Sequence, residues 1–79
     1  LEYFTGEIED INGRTDVIII NTDDDETVII EVSNDTMIIK FGKEIDFDDL
    51  EEGDVITVTG EMNGNRVEAS GIMVVSAAE

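Results

Sequence analysis

The sequence predicts an all-β domain, a small antiparallel barrel of five strands with one short helical turn ahead of the fourth. Three observations carry that expectation. Ile and Val dominate a hydrophobic fraction of 41%, and β-branched side chains suit a pleated, half-buried sheet better than a helix. Apolar residues recur at period two or in short runs, and clusters of Gly, Asn and Asp cut those runs at the spacing of a small barrel or sandwich. Finally, 79 residues make one domain, 1–79, and the absence of Cys and His removes disulfides and the usual zinc sites as staples. A domain that small buries only about 60% of its unfolded surface, so apolar burial in the barrel must hold it together.

The first strand is expected from Tyr3 to Ile11, with Phe4, Gly6 and Ile8 on one face and Glu7 and Glu9 on the other. Asn12-Gly13 marks a tight hairpin, because both residues tolerate positive φ. The second strand, Thr15 to Asn21, carries Val17-Ile18-Ile19-Ile20, a run apolar on both faces, so one face needs a cover other than the main core. An acidic turn, Thr22-Asp23-Asp24-Asp25-Glu26, leads to a third strand from Thr27 to Val32. Ser33-Asn34-Asp35 turns the chain into Thr36-Met37-Ile38-Ile39, a short strand or an extension of the barrel wall.

Between Lys40 and Gly53 the periodicity breaks. Phe47 and Leu50 stand three apart among acids, which places both on one side of a single helical turn, a plug for one barrel end. The clearest strand runs from Asp54 to Glu61, with Val55 and Thr57 on one face and Ile56 and Val58 on the other. Met62-Asn63-Gly64-Asn65 closes a hairpin into a last strand from Arg66 to about Val75. The expected core includes Ile8, Ile18 or Ile19, Ile29, Val32, Val55 and Ile72. Met37, Met62 and Met73 are expected to fill core gaps, with Met62, beside a turn, the one at the surface.

Five strands with a helical turn before the fourth is the order of an OB-type Greek-key barrel. The stretch Ile45-Asp46-Phe47-Asp48-Asp49-Leu50-Glu51-Glu52-Gly53-Asp54-Val55-Ile56-Thr57-Val58-Thr59-Gly60, followed by Asn63-Gly64 and Val67-Glu68-Ala69-Ser70-Gly71-Ile72, resembles the second half of small OB-like domains in uncharacterised bacterial secreted and cell-surface proteins. That resemblance spans about half the chain. It implies the fold and a secreted or cell-surface location, and says little of activity, since a Gly-Asp-x-Val-x-Val-x-Gly hairpin is a structural device in many barrels.

Four bases against 21 acids leave a net charge of −17 on 8.7 kDa. Nucleic-acid affinity comes mainly from bases that neutralise phosphates, and only Arg14, Lys40, Lys43 and Arg66 could supply it. Oligonucleotide binding by such barrels also uses aromatic platforms, and Tyr3 and Phe4, adjacent in a strand, offer at most one ring per face. Docking on anionic membranes is disfavoured by the same field. No apolar stretch reaches the roughly 20 residues of a membrane span, and no signal-peptide pattern opens the chain. It starts at Leu1 rather than Met, as an excised or processed piece would.

Catalysis is hard to assemble without His or Cys, the commonest general base and the best nucleophile. Paired carboxylates acting on a glycoside would need a cleft with sugar-stacking aromatics, and there is no Trp. The domain is therefore expected not to be an enzyme. Two acidic clusters are candidate cation sites. Asp23, Asp24, Asp25 and Glu26 could attract Ca²⁺, which takes six to eight hard oxygen ligands, although Asp is also favoured in turns for its backbone hydrogen bonds. Asp46 and Asp48 match the first and third positions of a calcium loop, but Leu50 falls on the fifth, the glycine is displaced to Gly53 and Thr57 replaces the closing acid. Acids beside a helix N-terminus explain that stretch better.

The resulting expectation is a non-catalytic binding or structural module of a larger, extracytoplasmic protein, with a protein or cation partner. The alternative is an acidic interaction domain that docks a basic protein, as a nucleic-acid mimic would. A scaffold engineered for solubility would share the composition, but the Val17 to Ile20 run and the irregular 40–53 connection are features an idealised design avoids.

Overall fold

The computed structural model describes residues 2–22 and 24–77. Its strands are β1 (Glu2–Asn12), β2 (Val17–Thr22), β3 (Thr27–Glu31), β4 (Met37–Lys40), β5 (Lys43–Glu44), β6 (Val55–Asn63) and β7 (Arg66–Ser76), with a 3₁₀ turn at Phe47–Asp49 between β5 and β6. The ring runs β3-β2-β1-β6-β7 and closes where β7 returns to β3. β3 and β4 lie end to end along β7, so they act as one interrupted wall strand. Ile29 to Glu31 flank Arg66 to Glu68, and Met37 to Lys40 flank Gly71 to Val74. The Thr36 hydroxyl spans the interruption. It donates to the Ala69 carbonyl at 2.7 Å and accepts from the Ser33 N–H at 3.0 Å.

This is the expected five-stranded barrel with one correction: it is mixed, not wholly antiparallel. β7 runs parallel to both β3 and β4. Parity gives the reason, because direction alternates around an all-antiparallel ring and an odd number of strands cannot close that way. β1 bends at a bulge between Ile8 and Asp10 as it passes from β6 to β2. Ile8 is tied there to the turn before β6, donating its N–H to the Asp54 carbonyl at 2.8 Å and accepting from the Gly53 N–H at 2.9 Å. The β1–β2 connection is wider than the expected two-residue hairpin. It occupies residues 13–16, with Asp16 carrying the positive φ of 54° and Asn12 Oδ1 accepting from the Arg14 N–H.

Ile8, Ile18, Ile20, Val28, Ile30, Ile38, Leu50, Ile56, Val58, Val67, Ala69, Ile72 and Val74 fill the interior, and Phe4, Ile11, Val32, Ile45 and Phe47 pack at its margins. Leu50 is buried and Phe47 half-buried beside the 3₁₀ turn, which is the expected plug. Three expected core residues, Ile29, Val32 and Val55, are only half-buried; Val32 packs at the core margin, while in place of Ile29 and Val55 their neighbours Val28, Ile30 and Ile56 point inward. In the second strand Ile18 and Ile20 enter the core, while Val17 and Ile19 sit half-buried outside, Ile19 opposite Ile29. The Arg66–Glu31 ion pair, 3.1 Å long, borders that outer patch.

Candidate functional site

The expected calcium residues fall in two places. Asp24, Asp25 and Glu26 are exposed in the β2–β3 turn, where Asp25 has a φ of 61° and its N–H donates to the Thr22 carbonyl at 3.0 Å. Asp23 lies outside the described residues. Asp46 and Asp48 are exposed at the other cluster, where the Asp46 N–H donates to Asp49 Oδ2 at 3.2 Å and the Asp49 N–H to the Asp46 carbonyl at 2.9 Å. These bonds close the 3₁₀ turn, a structural use of the acids. Asp46 and Asp48 also rim a cleft of about 360 Å³ at the barrel end, together with Asp16 and Glu44, over walls that include Val32, Ile45 and Phe47. Among the described residues, no three side chains of His, Cys, Asp or Glu converge as metal ligands.

A second concavity of about 230 Å³ lies on the outer wall, where strands β1, β6, β7 and β4 run side by side. Cross-strand register aligns two rows there. Tyr3, Thr59, Gly71 and Met37 form one row, and Thr5, Thr57, Met73 and Ile39 the next. The groove exists because Gly71 contributes no side chain. A Cβ at Gly71 would meet only the Met37 carbonyl oxygen, at 3.9 Å, an ordinary contact. Glycine is therefore not needed there for backbone reasons. Met37 and Met73 are 55% and 49% exposed and line the groove together, with Tyr3 at its far side. They stand one diagonal step apart across β4–β7, about 8 Å between backbones at usual strand spacing and rise. Among the described residues no carboxylate lines this groove, although acids make up 21 of 79 residues.

The methionines correct the sequence expectation. Met62 is exposed as expected, but Met37 and Met73 are exposed too, so neither fills a core gap. The period-two pattern carried the signal: Met37 precedes inward Ile38, and Met73 separates inward Ile72 and Val74. What the sequence could not show is that β4 would lie parallel against β7 and bring the two together.

No protein-family model and no curated protein matches the sequence. Two solved structures of CusF share the fold. One is CusF with Ag(I), at 20% identity and a TM-score of 0.69, covering 92% of this chain and 95% of that one. The other is a tryptophan-to-alanine variant with Cu(II), residues 10–88, from Escherichia coli, at 20% identity and the same TM-score of 0.69, covering 94% of this chain and 90% of that one.

Proposed function

We propose that the domain is a small, non-catalytic metal-ion-binding module of a larger extracytoplasmic protein, and that it takes a soft monovalent ion of the Ag(I) or Cu(I) kind in the Met37–Met73 groove. The observation that carries the reading is the placement of two exposed thioethers in one concavity that holds no carboxylate of the described residues. Thioether sulfur is a soft donor that favours Cu(I)-like ions, whereas carboxylates favour Mg²⁺ and Ca²⁺. The groove therefore selects by softness. A fold shared with proteins solved with Ag(I) and with Cu(II) supports an ion as cargo, and a sequence without His or Cys supports a role without chemistry. The surrounding acids supply a negative field that concentrates cations of every kind near the surface.

Titration calorimetry with Ag(I), in chloride-free buffer containing excess Mg²⁺ to occupy the carboxylates, tests this. The wild-type chain is expected to bind one Ag(I), and Met37→Leu with Met73→Leu to lose at least about tenfold in affinity, roughly 1.4 kcal/mol. Gly71→Val fills the groove and is expected to do the same, while Met62→Leu, outside it, binds as wild type. Equal Ag(I) affinity in the double leucine variant would overturn the assignment.

A further inference from the structure

The β4–β5 hairpin tip, Lys40-Phe41-Gly42-Lys43, is built against local preference. Phe41 and Gly42 have φ of 51° and 83°, the left-handed pair of a type I′ turn, whose first position favours Asn, Asp or Gly. A bulky side chain is strained there. Lys40 and Lys43 stand directly opposite each other, and like charges so placed repel. Neither lysine forms an ion pair among the described residues, in a chain with only four bases against 21 acids. Phe41 is 66% exposed. Strain, repulsion and an exposed aromatic kept together point to an element that docks on something.

The complement of that tip is on the same molecule. The barrel-end cleft offers half-buried Val32, Ile45 and Phe47 inside a rim of Asp16, Glu44, Asp46 and Asp48. A cleft that is polar over most of its surface, with Ser33, Asn34 and Thr36 in its wall, four carboxylates at its rim and Val32, Ile45 and Phe47 as its apolar part, fits an aromatic flanked by two ammonium groups. Phe41, being exposed, does not occupy the cleft of its own chain. We propose that two copies of this chain form a twofold dimer, the tip of each seated in the end cleft of the other. Glu44 of the rim directly follows Lys43 of the tip, so donor and acceptor surfaces share one end and both seats fill at once. That closure yields an isologous pair and no filament.

A net charge of −17 per copy opposes the pairing and makes it salt-dependent. At about 0.01 M the screening length is roughly 30 Å, comparable to the molecule's 30 × 27 × 24 Å extents. At about 0.15 M it falls to roughly 8 Å, which leaves the contacts in the seat and removes most of the repulsion between the bodies.

Analytical ultracentrifugation across protein concentration tests the dimer. The wild-type chain is expected to sediment as a monomer at the lower salt and as a reversible dimer at the higher. Phe41→Asn suits the left-handed position, so it is expected to melt no lower than wild type and to stay monomeric. Two charge-reversed chains, Lys40→Glu with Lys43→Glu and Glu44→Lys with Asp48→Lys, checked for folding by circular dichroism, are each expected to be monomeric alone. Mixed in equal amounts they restore opposite charges at both seats and are expected to form a one-to-one dimer. A wild-type chain monomeric at both salts, a Phe41→Asn chain that dimerises like wild type, or a mixture of folded reversed chains that stays monomeric would overturn the proposal.

Discussion

Ile18 and Ile19 are the same residue type, adjacent in the same strand, and the structure assigns them opposite faces. Ile18 is fully buried, and Ile19 is half-buried on the outer wall. Ile18→Ala removes three carbons from the interior, worth about 0.8 kcal/mol each in transfer alone, and the remaining cavity brings the cost to about 3–4 kcal/mol. A chain this size has only about 4–12 kcal/mol in hand at 0.05–0.15 kcal/mol per residue. Ile19→Ala opens no interior cavity and is expected to cost under about 1 kcal/mol. With a urea slope near 1 kcal/mol/M for so small a protein, the Ile18 variant loses about 3 M in midpoint and the Ile19 variant under about 1 M. Equal shifts, or the larger shift at Ile19, would refute the register of β2 and with it the core of the barrel.

Three further outcomes follow from the packing and the charge. A Cβ at Gly60 would run into the Glu68 carbonyl, whereas one at Gly71 makes only an ordinary contact with the Met37 carbonyl oxygen, so Gly60→Ala should lose about 1–3 kcal/mol in chemical denaturation and Gly71→Ala under about 0.5. Asp54 is fully buried and its Oδ2 accepts the Glu51 N–H at 3.1 Å; Asp54→Ala should cost about 1–3 kcal/mol, and Asp54→Asn, which keeps an acceptor, less. Sodium chloride should raise the melting temperature by screening the acids, and calcium chloride at matched ionic strength should raise it equally, because no ligands converge in the described acidic turns; a larger calcium shift would show a specific site.

The fold was legible because period two is unambiguous where polar residues alternate with apolar ones, as in Glu7-Ile8-Glu9. Runs of consecutive β-branched residues erase that signal. In Val28-Ile29-Ile30 every position could face inward, and the choice falls to the sheet register, which pairs Ile18 with Ile30 and Ile20 with Val28. Val55 and Ile56 present the same ambiguity, although Thr57, on the Val55 face, marks that face as outward. The mixed sheet was implicit in the strand count, since five strands cannot close with strict alternation. The groove was not legible. It depends on which strand lies beside β7, a long-range pairing that local pattern does not encode.

Outward positions along β1 change character where the strand changes partner. Tyr3 and Thr5 stand against β6, and Glu7 and Glu9 follow as the strand turns toward β2. On β6, Thr57 and Thr59 give way to Glu61 beyond the second bulge. Acids thus begin where the groove ends, which separates two tasks physically. The carboxylates act at long range and are screened by salt, while the thioethers act only in contact and are not. Raising ionic strength with sodium nitrate is therefore expected to slow Ag(I) association in stopped-flow measurements, several-fold between about 0.01 and 0.15 M, as steering weakens. The affinity ratio between the wild-type chain and the Met37→Leu, Met73→Leu variant should stay constant across the same range. If that ratio collapsed towards one as salt rose, the carboxylates would be holding the ion, and the groove would lose its role.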